Sequence, residues 1–283
     1  MYYGIITLCS LMFSSQFLFS RVFSKEYGND LQATFVLGIG NGLIGIIALS
    51  LINRFSFGCT PFALIMALIC TLDAIILSFL SLKALGKINL SLYSMYMMLG
   101  GMLLPSAAGI LFFDEALTLS KCLCFLCIIF ALLLTVQKGE KKSGTLYYAG
   151  IFILNGLSGV ISKIYQAAPF EKVSASEYSI LCAALGLVLS VILLLIFKSD
   201  NRRLNLKSVF AMFGGGALNR IANWLSLICL SYLPASVQSP FITGATIIFS
   251  MIIGLFLHQR PDKREVASVM IALVGLFILV FIK

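Results

Sequence analysis

The strongest constraint on this chain is a near-continuous series of apolar runs, each about as long as a bilayer is thick. Roughly 20 apolar residues make a helix that crosses the hydrocarbon core. Such runs are read at 3–22, 31–52, 61–82, 90–112, 118–136, 146–168, 175–197, 208–232, 235–257 and 266–282. Short polar or turn-forming breaks separate them, among them Tyr27-Gly28-Asn29-Asp30, Gly86-Lys87 and His258 to Arg264. Inside lipid every backbone polar group must be satisfied within its own segment, so repeated apolar runs of this length predict helices. The expected fold is an all-α membrane protein of ten transmembrane helices.

Composition agrees. Hydrophobic residues make up 60% of the 283 and charged residues 11%, with a mean hydropathy of +1.04. A soluble domain carries about a quarter charged residues, which this chain lacks to cover so large a core. The first run has no basic residue before Arg21 and no small-residue cleavage site, so it reads as a retained span and not as a signal peptide. The net charge of +9 does not imply nucleic acid, because the basic residues are scattered over short loops. Eight cysteines lie mostly within apolar runs. Cys122 and Cys124 would point about 200° apart on a helix, so with Cys127 they read as small buried hydrophobes and not as metal ligands.

Lysine and arginine divide unevenly. The loops after helices 1, 3, 5, 7 and 9 hold 14 of them, against four on the opposite face (Arg54, Lys121, Lys172 and Lys283). Basic residues accumulate on the cytoplasmic side, so both chain ends are expected outside the cytoplasm.

The chain also repeats itself. Phe79-Leu80-Ser81-Leu82 matches Trp224-Leu225-Ser226-Leu227 at an offset of 145, and at the same offset Ser91 meets Ser236 and Gly109 meets Gly254. Gly42-Leu43 meets Gly186-Leu187 at 144. The expected units are a first five-helix repeat at 1–136, a connecting loop at 137–145 and a second repeat at 146–283. Five is odd, so the second copy enters the membrane from the opposite side. Inverted repeats of this kind are an architecture of secondary transporters, which hold solute near mid-membrane between the halves.

The two half-endings carry a family resemblance. The first runs Gly109-Ile-Leu-Phe-Phe-Asp-Glu115-Ala-Leu-Thr-Leu-Ser, and the second runs Gly254-Leu-Phe-Leu-His-Gln259-Arg-Pro with Gly275 in the last helix. Leu82-Lys-Ala84-Leu85 and Leu227-Ile-Cys-Leu-Ser-Tyr-Leu-Pro-Ala echo each other at the ends of helices 3 and 8. In these motifs the chain resembles the drug/metabolite transporter superfamily, in its ten-helix EamA-type branch. Glu115 keeps the family glutamate, whereas Gln259 or Arg260 stands in its place in the second half. The resemblance implies a transporter of small organic solutes, with helices 3 and 8 lining a central cavity. It also implies cytoplasmic termini, opposite to the charge count.

Polar residues inside the spans are the site candidates. A charge at the bilayer centre costs roughly 2.5–3.5 kcal/mol, so Asp73 and Arg220 are expected to face the bundle interior, as a working site or as a structural ion pair. Arg220, Asn223 and Trp224 share one helix face at i, i+3 and i+4, flanked by Asn219. Trp224 is the single tryptophan, and this stripe suits a polar organic ligand. Lys163 lies before its span ends, as a second cation or a snorkelling one. Tyr93, Tyr96, Gln16, Asn155 and Gln238 are polar groups that the resemblance places around the cavity. Glu177, after Ser174 and Ser176, and Asp114 with Glu115 read as helix-start residues.

No cofactor, metal or enzymatic role is expected, and the absence of a Walker motif argues against ATP coupling within the chain. The expectation is a multi-pass bacterial inner-membrane transporter, a monomer or homodimer, exporting amino acids or related metabolites and coupled to protons. Quaternary-ammonium or multidrug export is the alternative within the same class, and a lipid-acting enzyme or flippase the one outside it.

Overall fold

The computed structural model describes residues 2–113, 116–135, 143–197, 202–230, 232, 235–259 and 261–281. Asp114, Glu115 and Arg260 lie outside them. Ten helices follow in order: α1 (Tyr2–Glu26), α2 (Leu31–Ile52), α3 (Pro61–Leu85), α4 (Leu90–Phe112), α5 (Leu119–Thr135), α6 (Ser143–Ala167), α7 (Ala175–Phe197), α8 (Leu206–Leu230), α9 (Ala235–Phe256) and α10 (Lys263–Phe281). Each apolar run has become one helix. The helices that outrun it, such as α1 and α3, do so where polar residues meet the interface.

Eight of these helices are long and apolar enough to cross a membrane unaided. The described part of α5 is 17 residues, and α8 is interrupted by Asn219, Arg220 and Asn223. α8 tolerates them because it packs on α1 and α2.

Local chemistry sets the helix starts. Asp30 caps α2, its carboxylate accepting from Ala33 N at 3.1 Å, and Thr60 caps α3, accepting from Ala63 N at 3.2 Å with Pro61 in the first turn. Glu177 closes a capping box on α7: Ser174 N donates to its carboxylate at 2.9 Å, and Glu177 N donates to Ser174 Oγ at 3.3 Å.

The halves pack across one another. α1 lies on α8 as α6 lies on α3, and α4 lies on α6 as α9 lies on α1. α2, α4 and α5 pack on α7, α9 and α10, their own counterparts. Exchanging the halves therefore maps the most extensive packings onto one another, whereas the slighter contacts of α3 with α1 and α2 and of α4 with α1 have no counterpart of the same extent among the described residues. Lipid offers apolar side chains no reason to leave it, so small residues that let helices approach closely decide these contacts. A methyl group on Gly100 of α4 would overlap the Phe152 carbonyl of α6. One on Gly42 of α2 would sit 3.1 Å from the Ala183 carbonyl of α7.

Contacts between loops define two faces. On one, Arg202 Nη2 pairs with Asp30 Oδ2 at 2.7 Å, Arg21 Nη1 donates to Gln259 Oε1 at 2.9 Å, and Asn89 Nδ2 donates to both Glu265 oxygens at 3.0 Å. This is the basic face. On the other, Tyr2 stacks on Tyr232 at 4.2 Å, and Ser56 Oγ donates to Glu177 at 3.2 Å. α1 begins and α10 ends on that terminal face.

Candidate functional site

A cavity of about 560 Å³ lies between α1, α4, α6, α8 and α9, contributed by both halves. Its lining from α8 (Asn219, Asn223 and Ser226) and α9 (Gln238 to Thr243) comes from the helix halves nearest the terminal face. That from α1 (Phe13, Gln16 and Phe17) is mid-helix. The cavity therefore extends from mid-membrane toward the terminal face, while the contacts around Arg21 and Gln259 close the basic face beneath it.

Amides, hydroxyls and soft apolar groups form the wall, with no charged side chain among its lining residues. Asn219 Nδ2 donates to Gln16 Oε1 at 2.8 Å, tying α8 to α1, and Asn223 Nδ2 donates back to Asn219 O at 2.8 Å. On α6, Asn155 Nδ2 donates to Met97 O at 2.6 Å, and Gly101 leaves room for that amide. Met97, Met98 and Met102 line the α4 side.

Gln238 is 1% exposed. Its Nε2 donates to Ser226 O at 2.7 Å and Ser226 Oγ at 2.8 Å. Because Ser226 O can only accept, the amide orientation is fixed, and Oε1 is left buried without a partner. Leaving a buried acceptor unmatched costs about 1–3 kcal/mol.

Two smaller cavities adjoin. One of about 110 Å³ lies between α1, α2 and α8, and one of about 280 Å³ between α2, α3 and α7. Arg220 lines both and faces away from the large cavity's wall. Asp73 is 5% exposed and points the other way, Oδ2 accepting from Ser158 Oγ on α6 while Oδ1 has no partner. The structure thus buries Asp73 and leaves Arg220 partly buried, and does not pair them, because Asp73 faces α6 and Arg220 faces α2.

The remaining candidates separate by helix geometry. Asn219, Asn223 and Ser226 recur at i+4 and i+3, so they share the cavity stripe. Trp224 is one residue off that stripe; it is 39% exposed and lines none of the three cavities. Tyr93 lies beneath the cavity floor, its ring edge-on to Phe17 at 5.2 Å. Tyr96 turns away to Tyr148 at 4.7 Å, its hydroxyl donating to Leu132 O at 3.3 Å. Both tyrosines are core side chains and not cavity walls. Lys163 reaches the end of α4, donating to Pro105 O at 3.4 Å and lying over the Phe113 ring at 5.7 Å. Sequence reasoning passed over Asn41, which lines both smaller cavities. A mid-span amide between Gly40 and Gly42 was the available signal.

Residues 142–281 match the model of the EamA-like transporter family. Among 28 solved chains that match, one crystal structure superposes with a TM-score of 0.65 over 97% of this chain and 99% of its own, at 14% sequence identity. That likeness speaks for the fold alone. No curated protein sequence matches the chain.

Proposed function

The chain belongs to the EamA-like transporter family through its second half, and from that premise we propose that it is a secondary transporter of amino acids or related metabolites. It is a multi-pass membrane protein whose family moves small solutes. The proposal adds that export proceeds by alternating access, coupled to protons and acting at a bacterial inner membrane.

One observation carries the reading. The 560 Å³ polar, uncharged cavity is built from both halves, extends toward one face and is closed from the other by cross-half hydrogen bonds. That is one end state of an alternating-access cycle, with solute held between two repeats that rock about it. Ligand sites are commonly apolar with a few convergent polar groups. Here Gln238, Asn155, Asn219 and Asn223 converge on a methionine-rich wall. With the basic face cytoplasmic, this state opens outward. Asp73 supplies a carboxylate buried mid-span that can carry the coupled proton. The methionines and the rings of Phe13 and Phe17 would also suit an apolar organic cation, the second reading.

The test is counterflow in proteoliposomes under an imposed pH gradient, with labelled amino acids, nucleosides and quaternary ammonium compounds offered in parallel. Proton-driven flux of an amino acid supports the proposal. Flux of quaternary ammonium compounds alone selects the second reading, and no flux of any class under either gradient refutes both.

A further inference from the structure

The three cavities form a chain. The central cavity and the 110 Å³ pocket share Gln16 and Asn219, the two amides hydrogen-bonded at 2.8 Å. The 110 Å³ and 280 Å³ pockets share Asn41 and Arg220. Arg220 therefore lines the pockets that lie behind an amide partition, Gln16 with Asn219, in the wall of the central cavity. The pocket is far above the ~10–15 Å³ that admits one water, and its lining is polar.

Arg220 lies near the middle of α8, where a charge is costly unless compensated. Among the described residues neither a carboxylate nor a hydrogen-bond acceptor compensates it. Asp73 is committed to Ser158 on another helix. What faces Arg220 is the amide of Asn41 and the thiols of Cys70 and Cys182. The guanidinium edge lies against the backbone of Gly45, where a Cβ would be 3.1 Å from both Nε and Nη2. Elsewhere this chain does pair arginine with carboxylate, as Arg202 with Asp30 at 2.7 Å. A guanidinium fork matches a carboxylate in shape and in charge.

We propose that the pocket around Arg220 receives the carboxylate of the solute. The solute's body stays in the central cavity, against the amides of Asn219 and Asn223. This makes the substrate class a small carboxylate, read from α8. The Gln16–Asn219 bond opens to admit the carboxylate, and Asn219 Nδ2 is then free to donate to it. The inference rests on the central cavity being the solute site, but anion binding is measured without transport.

The experiment uses the purified full chain in gluconate buffer. Binding is read from the fluorescence of Trp224, the single tryptophan and one helical turn from Arg220, and from thermal unfolding. The probes are L-alanine, alaninamide, acetate and chloride. Saturable responses to L-alanine and acetate, with none to alaninamide, are expected. Arg220→Gln should weaken them at least about tenfold, the value of a hydrogen bond to a charged group, and Arg220→Lys should retain part. Asn41→Asp places a carboxylate where Arg220 lines both pockets, so it should abolish the responses while keeping or raising thermal stability. A response to chloride without either carboxylate overturns the assignment. So does an absent response in the wild type, or one unchanged in Arg220→Gln. Binding that survives while liposomes show no alanine flux leaves the anion site standing and removes the transport reading.

Discussion

On the alternating-access cycle proposed above, Gln259 holds the basic face closed, and replacing it should open that face. Its Oε1 accepts twice: from Arg21 Nη1 on α1 at 2.9 Å and from the backbone N–H of Leu90 at the start of α4 at 3.0 Å. Asn89 precedes α4 without a side-chain capping bond. The first turn of a first-half helix is therefore capped by a second-half residue, and Arg21 Nη1 also donates to Ile88 O at 3.2 Å. In Gln259→Ala the Leu90 N–H loses about 1 kcal/mol and the guanidinium about 1.5–3 kcal/mol. The closed state is thus weakened by about 2.5–4 kcal/mol, and at 1.4 kcal/mol per tenfold the population shifts by about 10²- to 10³-fold toward a state open at the basic face. The assay is labelling of Met98→Cys, in the cavity wall, by a membrane-impermeant maleimide in a background lacking the eight native cysteines. Gln259→Ala should raise labelling from the basic face and lower it from the terminal face. Gln259→Glu keeps the acceptor and adds a charge opposite Arg21, so it should hold the wild-type pattern or tighten it. Unchanged two-sided labelling in a folded Gln259→Ala protein would refute the latch.

Three further outcomes are expected. Gln238→Leu removes a buried acceptor that has no partner but also the two hydrogen bonds to Ser226, so it should lower stability by about 1–2 kcal/mol, measured by thermal unfolding. The double replacement Asp73→Leu, Arg220→Met should reach the membrane folded but fail to transport in proteoliposomes, because the two charges do not form a pair whose joint removal is neutral; near-normal flux would reduce both to structural residues. A C-terminal reporter fusion should be extracytoplasmic, following the excess of basic residues on the opposite face, and a fluorescent cytoplasmic fusion would reverse the orientation.

The helices were legible because each apolar run has one physical destination, and the polar breaks at Asp30 and Thr60 carry residues that cap the helix they precede. Which side of each helix faces inward was far less legible. A span surrounded by lipid and by other apolar helices is apolar all round, so periodicity gives no direction. Tyr93 and Met97 of α4 lie four residues apart on nearly one face, yet depth separates them. Met97 meets the cavity, whereas Tyr93 is under its floor against Phe17. Mid-span amides were more reliable markers than aromatics, since an amide in lipid must find a partner or a wet cavity. Gln16, Asn155, Asn219, Asn223 and Gln238 all line the 560 Å³ cavity.

Partners were the least legible, for a reason that the charged residues make plain. That Asp73 and Arg220 avoid lipid follows from the cost of burying a charge, which depends on one residue and its depth. Where each side chain points depends on packing between halves, here set by glycines such as Gly42 and Gly45 on α2 that admit α7 and the guanidinium. Gln259 shows the same division. In sequence it is a departure from a family glutamate. In the fold it joins Arg21 and Leu90, residues 238 and 169 positions away. A neutral amide there accepts from both without an ion pair's stronger hold, so the closed face can release. The alternating access proposed above requires such a bond to break in every cycle, and the sequence position alone could not have shown what it joins.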